Sequence, residues 1–217
     1  LSDETKDILN STQKQILDNA QKALEESIKT VEGLLEVVQI EEGKFGFQFI
    51  ESDLEKIIEE VLTMLEPRAQ QNNIKLIFYR PQPPLKPFVF DPVKIKSVIE
   101  ILVDNAIKYN IPNGEVRIKV TLLTDKPFVC LAVEDTGIGI SQKDLAKLFT
   151  KFYRGSNILK YETEGTGLGL YITKNIVEAH GGKIWAESIE NRGTTIHFTL
   201  PMDEKLIPKR YSTSSPF

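Results

Sequence analysis

The sequence predicts an α+β fold: a two-layer sandwich of one mixed sheet with helices on one face, preceded by one long coiled-coil-like helix. Three observations carry this. An apolar stripe with helical spacing runs through roughly the first forty residues. Strand-like and helix-like runs then follow in an order that suits a single sheet covered on one side. Late in the chain, Glu164-Gly-Thr-Gly-Leu-Gly-Leu170 opens a helical pattern that ends at His180-Gly181-Gly182.

Ser2, Asp3 and Glu4 read as a helix start, with a cap hydroxyl followed by acids. Up to about Val38 there is no Pro, and the only Gly is Gly33. Leu9, Ile16, Ala20, Leu24, Ile28, Val31, Leu35 and Val38 form one face. A helix of roughly 50 Å cannot bury that face against itself and needs a partner helix. Gly43 and Gly46 punctuate the following run, so a boundary is expected between residues 1–42 and a domain over 47–201.

In that domain a strand is expected at 47–50, then a helix capped by Ser52. A strand over 74–79 precedes a stiff loop of Pro81, Pro83, Pro84 and Pro87. Phe88-Val89-Phe90 is a strand fragment, and Asp91-Pro92 starts a helix to about Asn110. Strands at 115–123 and 128–134 precede a short helix at 142–151, with Phe149 and Phe152 expected to pack it down. Polar sequence from Arg154 to Thr166 is a candidate lid. The glycine-loop helix and a hairpin (183–188, 195–200) complete the domain, and 202–217 reads as a disordered tail.

Composition excludes several classes. The 217 residues are 41% apolar and 27% charged, with net charge −4. With a pI near 5.4 and dispersed basic residues, nucleic acid is excluded as the main partner. The only cysteine, Cys130, is expected to be a buried structural thiol, and an intracellular, cytoplasmic setting fits. No apolar run approaches the roughly 18 residues of a membrane span. Membrane anchoring of a longer parent stays open.

Four segments carry chemistry. The glycine loop lets backbone amides approach an anion, and the helix start behind it adds unpaired N–H groups. Leu170-Tyr171 stands where a P-loop has Lys and Ser or Thr, and a dinucleotide fingerprint has a third glycine where Leu170 stands. Alone, the loop reads equally well as a hinge. On the third helix Asn105, Lys108 and Tyr109 stand at i, i+3 and i+4 and share a face. An amide oxygen suits Mg²⁺, an ammonium suits phosphate and a ring can cover a base; a solvated helix end is the alternative. Asp135-Thr136-Gly137-Ile138-Gly139-Ile140 puts a carboxylate at a strand end, able to accept from an exocyclic amine, or simply makes a turn. Arg154 at the lid entrance could reach a terminal phosphate.

In order and spacing, these segments resemble the N box, first glycine box, Phe box and second glycine box of sensor histidine kinases. Gly193-Thr194-Thr195-Ile196 resembles that family's last glycine-containing segment. The resemblance covers about 47–201, and residues 2–40 resemble the second helix of the family's dimerisation and phosphoacceptor domain. It implies a Bergerat-type ATP-binding fold, shared with Hsp90-like and gyrase-type ATPases, with ATP and Mg²⁺ as cofactors. Asn105 would hold Mg²⁺, Lys108 the phosphates, and Tyr109 would lie near the nucleotide. Asp135 would accept from the adenine amine, with Gly137, Gly139 and Ile140 lining the base. The loop of Gly165, Thr166, Gly167, Leu168, Gly169 and Leu170 would cradle phosphates, Arg154 would meet the γ-phosphate, and Thr195 would lie behind Asp135. The implied partners are a response regulator and a second copy of the parent, through the first helix.

Two departures stand out. The family usually carries a second Asn four residues before the N-box Asn; here that position is Ile101, which cannot ligate metal. The only histidines, His180 and His197, lack the family's phosphoacceptor context, so the acceptor is expected to precede Leu1. Three rival readings are a degenerate regulatory module, an Hsp90- or gyrase-class ATPase, and a serine kinase of the anti-sigma or mitochondrial type. Ile101 favours the first. It opposes the second, which needs Glu at that position.

Overall fold

A computed structural model describes residues 10–155 and 165–209. The expected cap at Ser2, the stripe residue Leu9, most of the candidate lid (156–164) and the end of the tail lie outside these residues.

The first helix, α1 (Ser11–Glu41), is capped by Asn10. Asn10 accepts from the Gln13 amide, and the Gln13 side chain accepts from the Asn10 amide, a reciprocal capping box. Ile16, Leu24, Ile28, Val31, Leu35 and Val38 of the predicted stripe all stay exposed. The adjacent face packs on the domain instead. Val37 is buried, Ile40 packs on the core, and Gly33 lets Leu168 and Ile172 come close.

Residues 44–49, expected as linker and strand, belong to the domain core. Phe45 and Phe47 are buried, and Lys94 lies 3.8 Å above the Phe45 ring. Burying each such ring contributes about 1.5–3 kcal/mol, which outweighs the local glycine signals. The first strand is β1 (Ile50–Ser52), and Asp53, not Ser52, caps α2 (Leu54–Gln71) by accepting from the Lys56 amide.

Strands β2 (Lys75–Tyr79), β4 (Glu115–Leu122), β5 (Phe128–Asp135), β6 (Ile184–Ile189) and β7 (Gly193–Pro201) make a five-stranded sheet in the order β2-β4-β5-β7-β6. Only β2–β4 is parallel, so the sheet is mixed, as expected. β3 (Phe88–Phe90) pairs with β1 in a separate two-stranded sheet, a correction to the single sheet predicted. Helices α2, α3 (Pro92–Lys108) and α5 (Gly169–Ala179) cover one face. Between β5 and β6, α4 spans only Gln142–Leu145 and continues as turns, shorter than the helix expected at 142–151.

Strand alternation divides the sheet into a helix-covered and an open face. Val116, Ile118, Val129, Leu131, Val133, Ile196 and Phe198 point to the helices and are buried. Cys130 has the opposite parity and is half-buried, so it is not a core thiol. His197 shares that open face, stacked on Trp185 at 4.9 Å. The chain also stays ordered past Pro201: residues Glu204–Leu206 form a 3-10 turn and Ile207 is buried, so 202–209 is not a loose tail.

Candidate functional site

Asp135 ends β5 with the parity of Val133 and Leu131, so its carboxylate enters the helix-covered side where the apolar run stops. Its Oδ1 accepts the amides of Gly137 at 2.8 Å and Thr194 at 3.2 Å. Oδ2 takes no hydrogen bond among the described residues, and Asp135 faces a cavity of about 1260 Å³. Burial pushes its pKa up to about 6, against the pull of the two amides, and the neighbouring Glu134 charge adds to the rise.

The loop after Asp135 is held from three sides. Thr136 Oγ1 accepts from the Glu115 amide and donates to Asn110 Oδ1, tying β4 to the end of α3. The Ile138 amide donates to Tyr109 O at 3.1 Å. A Cβ on Gly137 would stand 2.2 Å from Tyr109 O, so only glycine fits between strand end and helix end. Gly137 is therefore buried behind the cavity, not in its lining; its contribution is an amide to Asp135. Gly139 and Ile140 do line the cavity.

Thr195 is a second correction. It pairs with Glu134 on the open face. Thr194, one residue earlier, is buried, lines the cavity and carries the amide that holds Asp135. A shift of one residue in a strand reverses the side chain. The parity of Ile196 and Phe198, both core, is the signal that selects Thr194.

Asn105, Lys108 and Tyr109, from the last turn and C-cap of α3, line the same cavity. The Asn105 side chain takes no hydrogen bond among the described residues. Lys108 Nζ lies 5.6 Å from the Tyr109 ring, and a Cβ on Gly165 would stand 3.8 Å from it, so the glycine loop reaches this lysine. Residues Gly165, Thr166, Gly167, Leu168, Gly169 and Leu170 all line the cavity, and among the described residues no side chain caps α5. Ile101 lies in the same wall, packed against the start of α5: a Cβ on Gly169 would stand 3.2 Å from its Cγ2.

The segment 149–154 adjoins the cavity. Phe149 packs on the core, but Phe152 is 61% exposed with φ +58. That corrects the expectation that both rings pack inward. Its backbone lies against Gly167, and Tyr153 donates to the buried Asp144, which pushes the phenol up to about 12. Arg154 lines the cavity.

His180 is structural. Nδ1 donates to Ile176 O at 2.7 Å and Nε2 accepts the Asp91 amide at 3.0 Å, so the ring is neutral. Burial holds its pKa below the ordinary histidine range.

Among the described residues, no group of three or more His, Cys, Asp or Glu side chains could hold a metal. No helix among them is long and apolar enough to cross a membrane.

A family described as histidine kinase-, DNA gyrase B- and HSP90-like ATPase matches residues 90–204. Sensor histidine kinase WalK of Bacillus subtilis (strain 168) is 34% identical over 186 residues, which are 85% of this chain and 30% of that protein. The catalytic domain of histidine kinase ThkA is 32% identical with a TM-score of 0.64, over 74% of this chain and 99% of that one. ThkA in complex with response regulator protein TrrA matches at 26% identity and TM-score 0.71, over 93% and 55%. The chain thus spans less than a third of the WalK protein it resembles. The match over 90–204 takes in α3, the strand-end carboxylate and the glycine loop, and the chain belongs to the histidine kinase-, DNA gyrase B- and HSP90-like ATPase family.

Proposed function

We propose that this chain is the ATP-binding catalytic portion of a sensor histidine kinase. One observation carries the reading. A carboxylate with one open oxygen, an unpaired amide, a lysine, an arginine and an uncapped glycine-loop helix all meet in one cavity.

Each group has a job in that reading. Asp135 Oδ2 accepts from the adenine amine while its Oδ1 is immobilised by two amides. Gly139 and Ile140 form one wall against the base, and Tyr109 lies at its edge. The Gly165–Leu170 loop offers backbone amides and the positive end of α5 to the phosphates. Lys108 and Arg154 neutralise phosphate charge as the γ-phosphoryl leaves for a histidine outside this chain. Catalysis of this kind is positioning and charge neutralisation, which suits a site without an acid–base pair. A bound Mg²⁺ would supply further positive charge beside the phosphates. Asn105 is the amide that fits it, and Ile101 offers it nothing.

Three further assignments belong to the same proposal. ThkA is known with a response regulator, and a response regulator is the downstream partner proposed here. The exposed stripe of α1 is proposed to pair with a second copy in the parent protein. A cytoplasmic location follows from ATP as substrate.

Calorimetric titration with ATP, with and without Mg²⁺, tests the reading. Micromolar-range binding to the wild type, lost in a folded Asp135→Asn variant, is expected. Equal affinity in both overturns the pocket assignment. The packing of Ile101 favours one second reading, a nucleotide-binding regulatory module without efficient transfer. Binding indifferent to Mg²⁺ would select it.

A further inference from the structure

One side chain outside the cavity joins three of the segments that build its base-binding end. Ser188, near the end of β6, is half-buried and does not line the cavity. Its hydroxyl donates to Gly193 O at 2.8 Å. That oxygen can only accept, so the direction of the bond is settled. The Ile140 amide donates into Ser188 Oγ at 2.8 Å, and Thr194 Oγ1 lies 2.9 Å away. With the Ser188 proton given to Gly193, the Thr194 hydroxyl is the donor of that pair. The serine oxygen then carries one donated and two accepted bonds, its full capacity.

The three partners are not equivalent. Ile140 lies in the cavity wall. Thr194 supplies the amide that fixes Asp135 Oδ1, and Gly193 packs so close that a Cβ there would stand 1.9 Å from Asp135 O. Ser188 and Thr194 are also register partners across β6 and β7, so the sheet ladder itself holds the hydroxyl in place. Nothing else among the described hydrogen bonds links the loop after β5 to both the start of β7 and the end of β6 through one atom.

We infer that Ser188 is a positioning residue for base recognition, setting Ile140 and, through Thr194, Asp135 in register with the purine. This rests on the proposed ATP site and extends it: adenine selectivity depends on a hydroxyl that never touches the nucleotide. Alanine at 188 leaves an amide, a carbonyl and a hydroxyl without their partner, whereas threonine keeps the oxygen.

The test compares Ser188→Ala, Ser188→Thr and Thr194→Val with the wild type. ATP and ITP affinities are read by calorimetry; ITP lacks the exocyclic amine. Amide exchange at Ile140 and Thr194 is read by NMR on nucleotide-free protein. Ser188→Ala should weaken ATP by about tenfold and move the ATP:ITP ratio towards one, the scale expected for one buried group left unsatisfied. Affinity for inorganic tripolyphosphate should not change. Exchange at both amides should quicken, Ser188→Thr should restore both readouts, and Thr194→Val should fall between. Unaltered exchange at both amides in Ser188→Ala, or in Thr194→Val if the alanine variant does not fold, overturns the inference. So does an unaltered ATP:ITP ratio. A wild type that binds no ATP removes the proposed function instead, and amide exchange still decides the role of Ser188.

Discussion

The Thr194 amide donates to Asp135 Oδ1 at 3.2 Å, across the end of the β5–β7 ladder. With the Gly137 amide on the same oxygen, the proton taken up at low pH must go to Oδ2, the oxygen left for a ligand. Protonation turns that oxygen from acceptor to donor. The ATP:ITP affinity ratio should therefore fall as pH drops through about 6, and phosphate titration cancels in the ratio. A ratio constant between pH 7.5 and 5 would contradict the assignment.

The same carboxylate affects stability with the opposite sign. Its folded pKa of about 6 lies above the ordinary 3.8, so the folded state holds the proton more tightly. Its contribution is full below pH 3.8 and is lost as pH rises through 6, at a cost of about 3 kcal/mol. Asp135→Asn should accordingly raise the melting temperature of the nucleotide-free protein at pH 7, by an amount on the order of 1–3 kcal/mol in unfolding free energy. Calorimetric melting at pH 7 and pH 5 checks this: the gain should shrink at the lower pH.

Gly137→Ala should damage fold and site together. The new methyl would meet Tyr109 O at 2.2 Å and Asp135 Oδ1 at 2.8 Å, and the first is backbone that cannot swing away. A loss of about 1–3 kcal/mol is expected, with weaker ATP binding because the displaced amide no longer holds Asp135. Denaturant unfolding and titration of the same variant measure the two effects.

His180 makes the fold sensitive to acid. Its neutral ring serves the Asp91 amide and Ile176 O, and Phe47 and Phe49 pack against it at 5.6 and 5.0 Å. Burial lowers its folded pKa below the ordinary 6.5, so its contribution is present above pH 6.5 and declines as pH falls from there to the folded pKa. Replacing the ring by Ala should cost about 2–4 kcal/mol at pH 7.5 and flatten that part of the stability profile. Urea midpoints at pH 7.5, 6.5 and 5.5 give the comparison.

Ile101→Asn should increase the Mg²⁺ dependence of ATP affinity several-fold. Ile101 stands one turn before Asn105 in the same cavity wall, so an amide there adds a second oxygen on the α3 face. Losing its packing against Gly169 should cost about 1–2 kcal/mol of stability. Paired titrations with and without Mg²⁺ read the first effect and thermal melts the second.

The sequence by itself determined what has a short period. Helical spacing put Asn105, Lys108 and Tyr109 on one face of α3, strand-like alternation marked β5, and alternate glycines marked the loop before α5. These patterns depend on backbone geometry within a few residues, so they survive without knowledge of neighbours. The tertiary structure decided what depends on partners far along the chain. Thr194 rather than Thr195 serves Asp135 because the β5–β7 register sets which residue faces the helices. Gly137 is a donor and spacer, not a wall, because the end of α3 presses on it. Phe45 and Phe47 are core because Lys94 and His180 meet them from elements about 50 and 130 residues away. Ser188 had no signal in its own neighbourhood at all. Its role exists only where β6, β7 and the loop after β5 converge on one hydroxyl, and such many-body satisfaction of polar groups is written in packing, not in local pattern.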